Sequence, residues 1–135
     1  MLVIDTNVLA SLLLQGPFSD LARALYAADP QWRSEAFVMT ELANVLATQI
    51  RLRDMPVDDA LTLLDHAASV MADGLVEVDH SAALALAAQR QVSAYDARYL
   101  VVAQRLQTRL VTEDAKLRQK APDLTWSIAQ ALAGT

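Results

Sequence analysis

Asp5, Glu41, Asp96 and Asp114 are the side chains of this sequence whose type and placement suit chemistry. Asp5 ends the first apolar run, Leu2-Val3-Ile4, and Asp114 follows another, Leu110-Val111-Thr112. Glu41 and Asp96 fall in the first turns of predicted helices. Carboxylates gathered at one place repel unless a cation joins them. An all-oxygen ligand set suits a hard divalent ion such as Mg²⁺ or Mn²⁺. Ions held in this way activate water, clamp a phosphate and steady the leaving oxygen of an in-line displacement. Taken singly, each acid is also explained by its position, because helix first turns and N-caps favour Asp and Glu. Ser93-x-x-Asp96 matches a capping box. It is their joint placement that points to a site. The chain has no Cys, which excludes disulfides, thiolate metal sites and a cysteine nucleophile.

The elements that must position these acids follow from the pattern of apolar runs and breakers. Leu2–Ile4 reads as a buried strand. Gly16-Pro17 marks a turn, and Ser19 is placed to cap a helix over about 20–28. Ala36-Phe37-Val38 reads as a second strand, with Thr40 capping a helix from Glu41 to about Leu52. Pro56 suits the start of a helix, which carries an apolar stripe from Val57 to Met71 and ends at Gly74. Leu75–Val78 is a third strand and Asp79 an N-cap, followed by an Ala-rich helix to about Arg90. Ser93 opens a helix to about Gln107. Arg109–Thr112 is a fourth strand, and a short helix runs from Asp114 to Gln119. Leu124–Trp126 is a weaker fifth strand, after which Ser127 caps a last turn. Alternating strands and helices imply a three-layer α/β/α sandwich around a parallel sheet of four or five strands, in one domain over residues 1–135. In such sheets ligands sit beyond the carboxyl ends of the strands, where the acids are expected.

Composition bounds the rest. At 135 residues, with 54% hydrophobic and 20% charged residues, the chain suits a single globular domain. Its net charge of −5 opposes passive nucleic-acid binding through a broad basic surface but not phosphate chemistry through bound cations. The apolar run Val8–Leu14 is too short to span a bilayer and lacks the flanks of a signal peptide. A soluble, cytoplasmic protein without membrane association is expected.

Four segments, in order, resemble a known family. Val3-Ile4-Asp5-Thr6-Asn7-Val8 is similar to the opening motif of PIN-domain nucleases. Thr40-Glu41-Leu42-Ala43-Asn44-Val45-Leu46 resembles their second motif, Ser93-Ala94-Tyr95-Asp96-Ala97 the third, and Leu110-Val111-Thr112-Glu113-Asp114-Ala115-Lys116-Leu117 the fourth. The resemblance covers essentially the whole chain. Its size and bare layout look most like the VapC-type toxins of toxin–antitoxin pairs. It implies Mg²⁺- or Mn²⁺-dependent endonucleolytic cleavage of RNA, a homodimer, and a small antitoxin lying over the active-site groove. Asp5, Glu41, Asp96 and Asp114 match the acidic positions that act on the substrate and hold metal. Thr6, Asn7, Asn44 and Thr112 match supporting polar positions. Glu113 competes with Asp114 for the fourth acidic place, with Asp114 favoured.

Lys116 and Arg118 lie near the acids and suit contacts to RNA phosphates; Arg98 and Arg105 are weaker candidates. Tyr95 and Tyr99 are candidates for stacking on bases, although Tyr99, at helical spacing from Tyr95, better suits the core or a dimer surface. His66 and His80 are read as packing or surface residues. Other readings stay open. A PIN-fold RNA-binding or interaction module without catalysis should lack one of the acids. A haloacid-dehalogenase-like phosphatase should carry Asp two residues after Asp5, where Asn7 stands. A phosphorylated receiver module should have an acidic pair after the first strand.

Overall fold

The computed structural model describes residues 1–134. The strands are β1 (Leu2–Ile4), β2 (Trp32–Glu35), β3 (Leu75–Val76), β4 (Leu110–Val111) and β5 (Thr125–Trp126). All pairings are parallel, in the order β3-β2-β1-β4-β5. The helices are α1 (Thr6–Leu13), α2 (Ser19–Ala28), α3 (Val38–Arg53), α4 (Val57–Val70), α5 (His80–Arg90), α6 (Ala94–Arg105), α7 (Ala115–Lys120) and α8 (Ile128–Ala133). This is the expected sandwich.

The chain steps outward from β1 to β2 to β3, then returns across β1 to reach β4. Right-handed crossovers place helices on one face during the outward steps and on the other during the return. The packing follows: α1, α3 and α4 contact one another and α2 contacts α1 and α8, whereas α6 packs with α5 and lies on β1, β2 and β4. Leu2, Val3, Ile4, Leu110 and Val111 are therefore buried from both sides. The strand order reverses between β1 and β4, and a crevice opens there at the carboxyl ends.

Several predicted boundaries move. The second strand lies at Trp32–Glu35, and Val38 belongs to α3. Thr40 therefore stands inside α3 instead of capping it, and Phe37 precedes the helix without a side-chain cap bond. Ser34 and Glu35 are polar, yet buried and satisfied: the Ser34 hydroxyl donates to Ile4 O at 2.7 Å, and Glu35 accepts from the backbone N–H groups of Phe37 and Val78. The run Val8–Leu14 largely forms α1, a helix not anticipated, which Asp5 caps through Val8 N–H. Ser19 caps nothing; its hydroxyl donates to Leu14 O and accepts from Gly16 N–H, closing the Gly16-Pro17 turn. The third strand stops at Val76. The predicted caps Asp79, Ser93, Asp114 and Ser127 all accept from first-turn N–H groups of the helices they precede.

Gly74 sets the approach of β3 to β2. A Cβ there would meet Trp32 O at 2.2 Å and Trp32 C at 3.3 Å, which are backbone atoms that cannot swing aside. Gly74→Ala should lower stability by about 2 kcal/mol or more, read as an earlier urea midpoint. A midpoint equal to wild type would show that the strand pair slides freely.

Candidate active site

The crevice at the β1–β4 reversal holds a groove of about 570 Å³ lined by Asp5, Glu41 and Asp96, with Thr6, Asn7 and Asn44 among its other walls. Asp114 lines an adjoining hollow of about 390 Å³, and Asn7 lies on the wall between the two. Asp5 is delivered by the end of β1, Glu41 and Asp96 by the first turns of α3 and α6, and Asp114 by the loop after β4.

The electrostatics join all four acids. Burial pushes Asp5 up to about 6, and the charges of Asp96 and Asp114 add to that; the Thr112 hydroxyl and Val8 N–H pull the other way. Burial also raises Asp96, helped by Asp114 and Glu41, against the Ser93 hydroxyl. Among the described residues, no ion pair involves Asp5, Glu41, Asp96 or Asp114. No group of three or more His, Cys, Asp or Glu residues among them stands ready to enclose a metal ion. The carboxyls share a crevice and a field without converging on one point. Their chemistry still fits a hard divalent cation: every donor is oxygen, and Asp5 is desolvated without a basic partner.

Three of the acids are held by one oxygen of the carboxyl. Asp5 Oδ1 accepts from Val8 N–H at 3.0 Å. Asp114 Oδ1 accepts from Lys116 and Leu117 N–H at 3.0 and 3.1 Å. Glu41 Oε1 accepts from the hydroxyls of Thr6, at 3.0 Å, and Tyr99. Tyr99 is buried, and its hydroxyl also meets that of Thr6 at 3.0 Å. Burial and the neighbouring Glu41 hold its phenol well above the ordinary range, so it stays a neutral donor. Sequence reasoning missed this contact; the helical spacing of Tyr99 from Tyr95 was the available signal, and it suggested core or dimer surface, with base stacking as the other reading.

The other candidates separate. Thr112 is fully buried, and its hydroxyl accepts from Asp114 N–H at 3.1 Å. Glu113 Oε1 accepts from Ile128 N–H at 2.8 Å, and Glu113 and Asp114 both line the hollow. Arg118 donates to Thr112 O at 2.7 Å and lies 3.8 Å from Glu113, bracing the loop. Lys116 is exposed beside Asp114, and Asn7 and Asn44 are exposed in the groove wall. Arg98 is committed to buried Glu35, to Val78 O and to His80. Glu35 was not singled out by sequence, since only the fold reveals that it is buried. Arg105 pairs with Asp79, away from the groove, and His66 is exposed on α4.

A PIN domain family model matches residues 2–122. No curated protein matches the chain in sequence. Among solved structures, the fold is similar to that of PAE2754 from Pyrobaculum aerophilum, with a TM-score of 0.76 at 21% identity, over 98% of this chain and 86% of that one. It is also similar to FitAcB from Neisseria gonorrhoeae, with a TM-score of 0.73 at 17% identity, over 96% of this chain and 99% of that one.

Asp5 gives a test by pH. Its folded pKa lies above the unfolded value near 3.9, so the native state binds extra protons and its stability falls as pH rises from about 4 through about 6. In EDTA near pH 7.5, Asp5→Asn should melt at or above wild type, because the amide oxygen still accepts from Val8 N–H and the repelling charge is gone. The gap should close as pH falls toward about 5. A variant less stable than wild type by the same margin at every pH would make Asp5 a structural cap only.

Proposed function

The chain belongs to the PIN domain family, whose members as a class are nucleases, and from that premise we propose that it is a Mg²⁺- or Mn²⁺-dependent endoribonuclease acting as the toxin of a toxin–antitoxin pair. The observation that carries this reading is the groove at the β1–β4 reversal, where acids crowd without basic partners. Asp5, Glu41, Asp96 and Asp114 would hold the cation, which when bound supplies charge neutralisation, polarisation of the phosphate and acidification of water.

The chain's own residues fix the frame for that chemistry. Val8 N–H holds Asp5, and Thr6 with Tyr99 holds Glu41 by one oxygen, leaving its other oxygen to the groove. The first-turn amides of α7 hold Asp114 in the same way. Asn7 and Asn44 bring neutral donors to the wall, suited to phosphate or sugar oxygens. Lys116, exposed beside Asp114, is placed to meet phosphates, whereas Arg118 is occupied with the loop. A phosphatase reading has less support, since Asn7 cannot serve as a general acid. A module without chemistry has less support too, since no acid is missing.

Association is part of the proposal. Leu52, Val57 and Leu61 are exposed at 66%, 55% and 53%, and a shallow apolar furrow runs between α3 and α4. This surface suits a second copy or a small antitoxin. Among the described residues no helix is long and apolar enough to cross a membrane; a cytoplasmic place is proposed on the same reading.

Purified protein should cleave RNA with Mn²⁺ or Mg²⁺, and EDTA should stop it. Asp5→Asn and Asp96→Asn should each lose at least about a hundredfold in rate while remaining folded, as expected when charge stabilisation at a reacting phosphate is removed. Full activity of either variant at matched purity would remove the proposed site. Light scattering at tens of micromolar, a range set by ordinary dimer affinities, should show a dimer or a co-purified small partner. A bare monomer would count against the association.

A further inference from the structure

Among the residues lining the acidic groove there is no Lys or Arg, and the chain as a whole carries a net charge of −5. An RNA strand is a polyanion, and proteins ordinarily hold one through basic side chains on its phosphates. Here that handle is missing where the strand would have to lie, so uncharged contacts must position it. The sequence-tolerant uncharged contact is stacking of a base on an aromatic face, worth about fivefold to a hundredfold per base in affinity.

Such a face stands at the groove. Tyr95 and Phe37 stack with ring centroids 5.7 Å apart and planes 21° from parallel. Both line the acidic groove, and both also line a neighbouring depression of about 630 Å³ bordered by Arg98 and His80. The pair therefore forms the partition between the two. Tyr95 is 62% exposed, so the core does not need it; one side is backed by Phe37 and the rest meets solvent. Its position is as fixed as the chemistry's, because Tyr95 immediately precedes Asp96 and Phe37 stands one helical turn before Glu41.

We propose that Tyr95, backed by Phe37, is a base-stacking subsite that takes an unpaired nucleobase flanking the bond to be cut. This rests on the ribonuclease reading and deepens it to single-stranded or looped RNA, whose bases are free to leave the stack. A protein partner covering the same rings is the competing occupant. The groove favours RNA, because the rings share it with Asp5, Glu41 and Asp96 while the exposed apolar surface of α3 and α4 lies elsewhere.

The experiment compares wild type, Tyr95→Ala and Tyr95→Phe, each checked for fold by circular dichroism. One readout is cleavage of mixed-sequence single-stranded RNA with Mn²⁺. The other is binding of a 2-aminopurine-labelled single-stranded RNA with Ca²⁺ in place of Mn²⁺. Tyr95→Ala should raise KM about tenfold or more with a smaller change in kcat, and should lose the fluorescence quenching. Tyr95→Phe should stay within about twofold of wild type, because the ring and not the hydroxyl is used. Equal KM and equal quenching in Tyr95→Ala would overturn the subsite while leaving the nuclease intact. A Tyr95→Phe variant as weak as Tyr95→Ala would overturn it as well, assigning the effect to the hydroxyl. Tyr95→Ala that weakens only self-association or partner capture would assign the rings to a protein and overturn it. Wild type that cuts no RNA but quenches the probe through Tyr95 would keep the subsite and remove the nuclease reading.

Discussion

Anions of like charge drawn into one desolvated crevice repel, and the neighbours of Asp5, Glu41, Asp96 and Asp114 are arranged against that repulsion. Asp5 and Asp114 cap α1 and α7, and Glu41 and Asp96 stand in the first turns of α3 and α6. Each therefore meets the positive end of a helix, worth about 0.3–1 kcal/mol apiece. Hydroxyls of Thr6, Tyr99, Thr112 and Ser93 add neutral hydrogen-bond donors. These supports share one property: they ease the charge without cancelling it. A Lys in the groove would cancel it and compete with any incoming cation. The same positions that make each acid look like an ordinary cap are what allow the acids to be assembled.

That arrangement is only as good as the junction beneath it. The register Val3↔Leu110 and Ile4↔Val111 places Asp5 and Thr112 side by side at the ends of β1 and β4. Besides easing Asp5, Thr112 then serves three further neighbours: its N–H donates to Trp126 O, its carbonyl accepts from Arg118, and its hydroxyl accepts from Asp114 N–H. Glu113 ties the same loop to the start of α8. On the other side Ser34 ties β2 to Ile4 O. The polar residues around the acids are mostly spent on backbone groups, which fixes the loops that carry the acids and leaves few side chains free to move.

Legibility in the sequence divides along the same line. The acids were visible because each follows an apolar strand or opens a helix, and the strand-to-helix alternation places those points at one sheet edge. The caps Asp79, Ser93, Asp114 and Ser127 were readable because capping is a local contact between residues two or three apart. β2 was misplaced because its polar residues, Ser34 and Glu35, are satisfied by partners 30 and 43 residues away, which no local pattern reveals. The apolar Phe37 and Val38 then drew the expectation toward themselves. α1 was missed because an apolar run with no breaker near its start carries no strong period. Tyr99 and Glu41 are 58 residues apart, and their contact exists only once α3 and α6 face each other.

Charge around the groove follows from how its nearby cations are used. Arg98 is taken by Glu35 and Val78 O, Arg118 by Thr112 O and Glu113, and Arg105 by Asp79. Paired guanidinium groups contribute little field beyond their own partners, while the groove acids lack basic partners and contribute theirs in full. The crevice is thus strongly negative although arginines stand close by in the fold. A free polyanion approaching it meets repulsion, within a Debye length of about 8–10 Å at ordinary salt. Neutralisation of the acids must therefore come before or together with entry of a phosphate chain. The commitment of the arginines to structure makes the groove selective by charge before shape is considered.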